Sequence, residues 1–434
     1  MQGDIVIVGG GAGGLELACK LGGKLGPDKV TLVDSRLYHV WKPSLHEVAA
    51  GTLDIHQEGL SYQMLAHDRG FSFVYGAMTA LDAAARHITI APVTTAADGE
   101  EVLPERTLGY RSLVIAVGST SNYFGVPGAR ENTISLNATE DAERFRLRLL
   151  RLLAQAEQQK EDGAADSGID IVIIGGGATG VELAAELREA SGAYAAYGFR
   201  RLQVKRDVRI TLLEGAPRIL APLPERVSSA AARLLDERAI RVVTDCRVNR
   251  IDQNQVSDNK GNLYRADLCV WAAGIRAPEF LGALGLPVAK GGQVEVDAQL
   301  RVKDVPGVYA LGDCAACTDG KGKPVPPRAQ AAHQQADYLL KTFVDQAAGK
   351  PPQTAPYVYR DYGSLVSIGR ETTVGNLMGS LRGASLFVEG FLARIMYMSL
   401  HLMHHQAVLG SLRTGLMAVG RFLIRRTTPI VKLH

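Results

Sequence analysis

Two clusters of glycine, each set directly after a short apolar run, carry the chemistry most legible in this chain. Gly9-Gly-Gly11-Ala-Gly-Gly14 follows the β-branched run Asp4-Ile-Val-Ile-Val8 and opens a stretch of helical spacing. Gly9 suits the tight turn, Gly11 leaves bare backbone for a pyrophosphate, and Gly14 permits close packing of helix on strand. The helix N-terminus adds about half a positive charge toward the phosphates. Asp34 ends the next apolar run, 25 residues after Gly9, where a carboxylate can accept a hydrogen bond from a ribose hydroxyl. Gly175-Gly-Gly177-Ala-Thr-Gly180 repeats the pattern after Ile169-Asp-Ile-Val-Ile-Ile174, and Glu214 closes the run 208–214, 39 residues after Gly175. That longer gap is assigned to an insertion over 191–207. An acid at 214 accepts from a 2′-hydroxyl and repels a 2′-phosphate, which favours NADH over NADPH; Arg218 nearby tempers the inference.

Each glycine loop needs a strand on either side of a helix, so the sequence predicts two βαβ units. The fold class expected is α/β, with two Rossmann-like dinucleotide-binding domains plus a C-terminal membrane-associating helical segment. A length of 434 residues fits about three units of roughly 150 residues. The boundaries predicted are 1–150 with 295–348 for an FAD-binding domain, 165–294 for an NADH-binding domain, and 349–434 for the C-terminal region. The polar stretch 155–167 reads as a surface linker or frayed helix end. Strand-and-glycine turns return at Leu113-Val-Ile-Ala-Val-Gly118 and at Leu268-Cys-Val-Trp-Ala-Ala-Gly274, so Gly118 and Gly274 join the candidate cofactor contacts, and Val308-Tyr-Ala-Leu-Gly312-Asp313 is a strand that ends on an acidic residue. Two such domains in one chain are most simply explained if one holds FAD and the other NAD(H), with hydride passing where they meet.

Composition narrows the alternatives. A formal charge of +3 gives no field that would argue for nucleic acid, and 47 glycines exceed the usual share of about 7%. Five cysteines are too few for a secreted disulfide framework, and the N-terminus lacks a basic, cleavable leader, so the protein is expected to stay where it is made.

The order of these motifs resembles the two-dinucleotide-domain flavoproteins. Five segments narrow the likeness: His39-Val-Trp-Lys-Pro43-Ser-Leu-His-Glu-Val-Ala, the Gly175–Glu182 stretch GGGATGVE, Pro326-Pro-Arg-Ala-Gln-Ala-Ala-His-Gln334, Gly363-Ser-Leu-Val-Ser-Ile-Gly369, and residues 393–406. Together they are similar to the type II NADH:quinone oxidoreductases of bacterial membranes, over nearly the whole chain. The resemblance implies an FAD-dependent NADH dehydrogenase that reduces a membrane quinone without pumping protons. It places Asp313 at the ribityl-phosphate region, Ala329 and Gln330 beside the flavin and the quinone tunnel, and Glu182 facing nicotinamide and flavin. It also implies a peripheral protein on the cytoplasmic face of the cell membrane, and a homodimer is one possible assembly.

Read without the resemblance, these residues have plainer accounts. Pro326 and Pro327 mark a helix start, so Gln330 falls in its first turn, where the dipole can stabilise negative charge on a reduced flavin, or where it is simply a helix residue. Glu182 could merely partner a helix dipole, and Lys42, which with Pro43 is a candidate flavin-shell residue, could equally be a surface lysine beside a turn proline. Cys314-Ala-Ala-Cys317 invites a redox or metal reading, but it lies outside the positions that disulfide reductases of this fold use. A sulfide:quinone oxidoreductase is the runner-up, and an NADH-responsive redox-sensing flavoprotein is the alternative of another class. No metal site is predicted: His401, His404 and His405 share one helix, but no carboxylate side chain follows Glu389, so histidines at a membrane interface are the expectation.

Residues 390–434 hold Arg394, Arg413, Arg421, Arg425, Arg426 and Lys432 and no acid. Ile395 to Leu412 lacks formal charge but carries three histidines, too polar for a span of about 20 residues. Leu409, Leu412, Leu416, Val419 and Leu423 recur at spacings of 3 and 4, a stripe suited to a helix lying in the lipid interface beside cationic side chains, the alternative being a helix packed on the core or on a dimer partner. A chain ending at Glu389 is therefore expected to keep FAD and lose lipid binding. The glycine-loop acids yield a first prediction: Glu214→Gln narrows the preference for NADH over NADPH, read as the ratio of the two kcat/KM values. Equal use of both nucleotides by the unmutated protein would contradict it.

Overall fold

The β-branched runs before and after each glycine loop become the central, parallel strands of two sheets. The computed structural model describes residues 2–95, 98–164, 167–351, 353–369, 372–378, 385–424 and 429–432. In the first unit, β1 (Gln2–Val8), α1 (Ala12–Leu25) and β2 (Val30–Asp34) form the expected βαβ crossover. A 3-10 turn at Lys42–Ser44 then leads into the short helix α2 (Leu45–Ala50). The sheet grows through β3 (Ser72–Tyr75), the hairpin of β4 (Met78–Asp82) and β5 (His87–Ile90), and the long β6 (Arg106–Ile115), in the order β3-β2-β1-β6-β5-β4. Arg106 to Gly109 of β6 run antiparallel to β5, while its later residues run parallel to β1.

The second sheet is wholly parallel. β7 (Ile134–Ser135), α3 (Thr139–Glu161), β8 (Ile169–Ile174), α4 (Ala178–Tyr197), β9 (Val208–Leu213), β10 (Ile240–Val243) and β11 (Leu268–Trp271) give the order β7-β11-β8-β9-β10. The strands are apolar on both faces: Ile171 and Ile173 pack toward helices, while Val172 and Ile174 pack against the antiparallel strands Val248–Asp252, Gln255–Asp258 and Leu263–Arg265.

Two boundaries differ from expectation. The first unit does not extend to residue 150, because β7 pairs with β11, and Ala142, Phe145, Leu149 and Leu153 of α3 pack into the second core. These residues recur at helical spacing, so the buried face of α3 follows the sheet edge it covers. Nor does the second unit reach 294, since Ala277, Leu281, Leu284 and Val294 belong to the first core. The chain crosses between units where Thr120–Ser121 pairs antiparallel with Ile275–Arg276. The stretch 155–167 begins as the last turns of α3, and residues 165 and 166 lie outside the described residues. The expected insertion over 191–207 is mostly helix: α4 runs on to Tyr197, and Tyr194, fully buried, donates to the Ala50 carbonyl at 3.1 Å.

After the second unit the chain returns with β12 (Val308–Ala310), parallel to β6, and α5 (Ala329–Ala347). A three-stranded antiparallel sheet follows, made of β13 (Gly363–Ser367), β14 (Thr373–Met378) and β15 (Ser385–Glu389), then α6 (Phe391–Leu409) and α7 (Ser411–Ile424). Val366, Ile368, Val374 and Val431 enter the second core, and Val408 enters the first. The Lys432 N–H donates to the Gly51 carbonyl at 2.8 Å. The C-terminal region is thus built into both units, which revises the separable tail expected at Glu389. Removing residues 390–434 uncovers the Val408 site and strips His404 from the buried carboxylate of Glu16. Glu16 keeps His333 and Lys20, but the lost hydrogen bond and the lost apolar cover should still make the truncated chain denature at a clearly lower urea midpoint. An unchanged midpoint would restore the separable tail.

Candidate active site

At both loops the structure explains each glycine. Gly9 has φ +105° and Gly175 φ +111°, a region that other residues rarely adopt. A Cβ on Gly14 would strike the Gly9 carbonyl, and one on Gly180 the Gly175 carbonyl, so the helices lie too close for any side chain. Gly11 and Gly177 differ. A Cβ there meets nothing nearer than 4.0 Å at Gly11 and nothing within 4 Å at Gly177, leaving open space at each helix N-terminus. Space at Gly11 beside close-packed Gly9 and Gly14 is the shape a pyrophosphate requires, so the loop fits FAD.

The two acids occupy matching positions. Asp34 accepts from the Gly10 N–H at 2.6 Å and the Arg36 N–H at 2.8 Å; Glu214 accepts from the Gly176 N–H at 2.6 Å and the Ala216 N–H at 2.7 Å. The longer spacing to Glu214 therefore does not displace it. Burial raises the Asp34 pKa, against the pull of the Gly10 N–H. Arg218 donates to the Ala221 carbonyl at 2.6 Å, which commits it to its own turn.

Beyond the first loop, Gly118 (φ +70°) opens a second stretch of bare backbone. The Ser119 hydroxyl donates to Asp313 at 2.7 Å, and the Lys42 ammonium donates to the Ser119 carbonyl at 2.8 Å. Desolvation lowers the Lys42 pKa and Asp313 opposes it; Lys42 keeps an exposed surface, and its hydrogen bond to Ser119 ties it to this cluster. Asp313 shares a cleft with Pro326, Pro327 and Ala331 at the start of α5, where Ala329 and Gln330 form the first turn. Gly274 (φ +73°) faces the Phe124 ring, which leaves no room for a side chain. Sequence reasoning missed Gln335, which is almost fully buried and accepts from the Gly312 N–H at 2.7 Å, holding the turn that presents Asp313. Its signal was a polar residue on the stripe of Ala331, Ala332, Ala336 and Leu339.

Gln330 and Glu182 are brought together through one strand. The Gln330 amide donates to the Gly363 carbonyl at 3.1 Å, and its oxygen accepts from the Tyr362 N–H at 3.2 Å. Glu182 accepts from the Ser367 N–H at 3.0 Å. Gly363 and Ser367 begin and end β13, about 13 Å apart at the usual strand rise. Glu182 lies in the second turn of α4, and it is buried, with His46 at 3.8 Å and a hydrogen bond to Tyr397 of α6, so it is no surface partner of a helix dipole. Burial raises the Glu182 pKa, with His46 opposing. Burial would lower His46, but Glu182, Glu47 and Glu186 more than reverse it. Both shifts favour the protonated form of the group concerned. His46 and Tyr397 come from distant segments, so no local spacing linked them to Glu182.

The cysteine and histidine readings resolve differently. All five cysteines are free and buried; burial pushes Cys314 up to about 12 and Cys317 to about 11, which leaves both as unreactive thiols. The interface expectation for the histidines is corrected: His404 and His405 are buried, His404 against Glu16 and His39, because carboxylates reach this helix from other elements. Glu58, His401 and His405 do place one potential ligand atom each within 4.8 Å of one another, but Arg421 pairs with Glu58 and already supplies a cation there. The tail charge is also less free than its sequence suggests. Arg413 pairs with Asp68, Arg421 with Glu58 and Lys432 with Asp54, while Arg425 and Arg426 lie outside the described residues.

A model of the Pyridine nucleotide-disulphide oxidoreductase family matches residues 3–336, the class that two dinucleotide domains with these loops define. The chain is 37% identical to the type II NADH:quinone oxidoreductase of Haemophilus influenzae, over 99% of this chain and 100% of that one. It is 27% identical to the type II NADH:quinone oxidoreductase Ndh of Mycobacterium tuberculosis, covering 92% and 83% of the two chains. NDH2 from Plasmodium falciparum in complex with NADH superposes with a TM-score of 0.82 over 99% of both chains, at 19% identity, and so shares the fold. The chain belongs to the pyridine nucleotide-disulphide oxidoreductase family and, within it, to the type II NADH:quinone oxidoreductases. Inert thiols generate a prediction: the Cys314→Ala/Cys317→Ala protein keeps turnover within about twofold, and native protein resists iodoacetamide. Loss of turnover with retained fold would revive sulfur chemistry.

Proposed function

We propose that the Gly9–Gly14 loop, Asp34, Lys42, Gly118 and Asp313 hold FAD, that the Gly175–Gly180 loop with Glu214 and Gly274 holds NADH, and that quinone meets the flavin between Gln330 and Glu182. The chain is an FAD-dependent NADH:quinone oxidoreductase. FAD supplies hydride acceptance from nicotinamide and two-electron delivery to the quinone. The protein supplies placement and protons. The N-termini of α1 and α4 orient the two pyrophosphates, and the first turn of α5 adds positive potential beside the flavin. The Glu182–His46 pair holds a proton in a dry pocket, where it can be given to a reduced quinone oxygen. The observation that carries this reading is β13, which ties Gln330 to one end and Glu182 to the other.

We assign the protein to the cytoplasmic face of the membrane as a peripheral enzyme. No described helix is long and apolar enough to cross a membrane. α7 presents Leu412, Leu416, Val419 and Leu423 to solvent, Leu412 with 78% of its surface exposed. Because the nearby Arg413, Arg421 and Lys432 are paired, docking rests mainly on apolar burial, on the order of 1.5–3 kcal/mol for each side chain fully buried. Leu412→Ser/Leu416→Ser should release the protein from vesicles, while 0.5 M salt changes binding of the parent little; the reverse pattern would assign docking to charge.

The chemical reading has its own test in anaerobic stopped-flow. NADH bleaches the flavin absorbance, and a soluble quinone restores it. Glu182→Gln should slow re-oxidation by at least about tenfold with reduction by NADH nearly unchanged. Equal re-oxidation rates would remove Glu182 from proton delivery.

A further inference from the structure

Beneath the first glycine loop lies a buried chain of polar groups that the reaction does not require. The Gly10 carbonyl accepts two hydrogen bonds, from the Tyr62 hydroxyl at 2.8 Å and from His39 Nδ1 at 2.9 Å. A carbonyl can only accept, so His39 Nδ1 carries a proton. Burial first, then the neighbouring His404, holds the His39 pKa well below its usual value, so the ring is neutral and its Nε2 offers a lone pair. His404 Nε2 lies 2.9 Å from that lone pair and must donate to it. On its other side, His404 Nδ1 lies 2.8 Å from Glu16. Burial alone would raise Glu16, but hydrogen bonds from His333 and His404 hold it at about 2, so it is a carboxylate. These two contacts call on each ring nitrogen of His404 to donate. Trp41 stacks on the ring, with centroids 4.2 Å apart and planes at 29°.

We infer that His404, on the C-terminal helix α6, is a positioning residue for FAD, acting through His39 on the peptide that presents the Gly11 N–H to the pyrophosphate. Gly10 C=O and Gly11 N–H belong to one peptide unit. Donation onto that carbonyl polarises the unit and strengthens the N–H as a donor, and the hydrogen bond behind His39 adds to the effect. Gly10 is held from all sides, its N–H by Asp34 and its carbonyl by Tyr62 and His39, so the loop cannot relax if one bond is lost. The helix that the membrane-facing region contributes thus reaches the cofactor loop of the first unit.

The inference rests on the reading that FAD occupies the Gly9–Gly14 loop. Its test is the rate of FAD release from the holoprotein, followed by flavin fluorescence on dilution. His39→Phe and His404→Asn should each speed release by about tenfold, and the double variant by no more than either alone, since both break one chain. The 31P signals of bound FAD should shift in both single variants. His39→Phe leaves the Glu16–His404 pair intact, so α6 should stay protected from proteases in that variant, which separates loop positioning from loss of tail packing. Release rates equal to the parent, or single effects that multiply in the double variant, overturn the inference. Gly11→Val fills the open space at the loop. If it retains FAD, the reading of the loop fails; if it loses FAD while the histidine variants keep it, only the inference fails.

Discussion

The close approach of helix to strand at each glycine loop is the constraint on which the rest of the molecule depends. Gly14 lies against the Gly9 carbonyl, and Gly180 against the Gly175 carbonyl, so each helix begins directly above the end of its central strand. Its free N–H groups and dipole then point into the space left at Gly11 or Gly177. Everything else arranges two such termini to face a common region. The crossing strands Thr120–Ser121 and Ile275–Arg276 hinge the units together, and β13 carries the groups placed where they meet.

Two buried glutamates show how environment assigns opposite roles to one side chain. Glu16 receives hydrogen bonds from two imidazoles and has Lys20 at 3.6 Å, which outweighs burial and keeps it ionised. Glu182 has one imidazole at 3.8 Å, with Glu47 nearby, so burial prevails and its carboxyl tends toward the protonated form. The ionised one fits a structural clamp between helices. The other fits a group that must hold and release a proton.

The C-terminal region joins these features. α6 supplies Tyr397 to the Glu182 site and His404 to the Glu16 site, while α7 turns its leucines outward. One helical pair therefore contacts both Glu182 and the Glu16–His39 cluster beside the first glycine loop while presenting an apolar face to its surroundings.

Much of this was legible in the chain because it depends on local spacing. The glycine positions, the strand-end acids Asp34 and Glu214, the helix start after Pro327 and the apolar stripe of α7 all follow from periods of two or 3.6 residues and from backbone sterics. What the sequence could not determine is which distant groups meet. α3 looked like the end of the first unit and joins the second, because its apolar face matches whichever sheet edge is left uncovered. His404 looked like an interface residue because its own segment holds no acid; the acid is Glu16, 388 residues away. The tail looked strongly cationic because its partners Asp68, Glu58 and Asp54 lie far back in the chain. Charge pairing and burial are properties of neighbours in space, so the protonation states of Glu16, Glu182 and His46 exist only once the tertiary structure has brought those neighbours together.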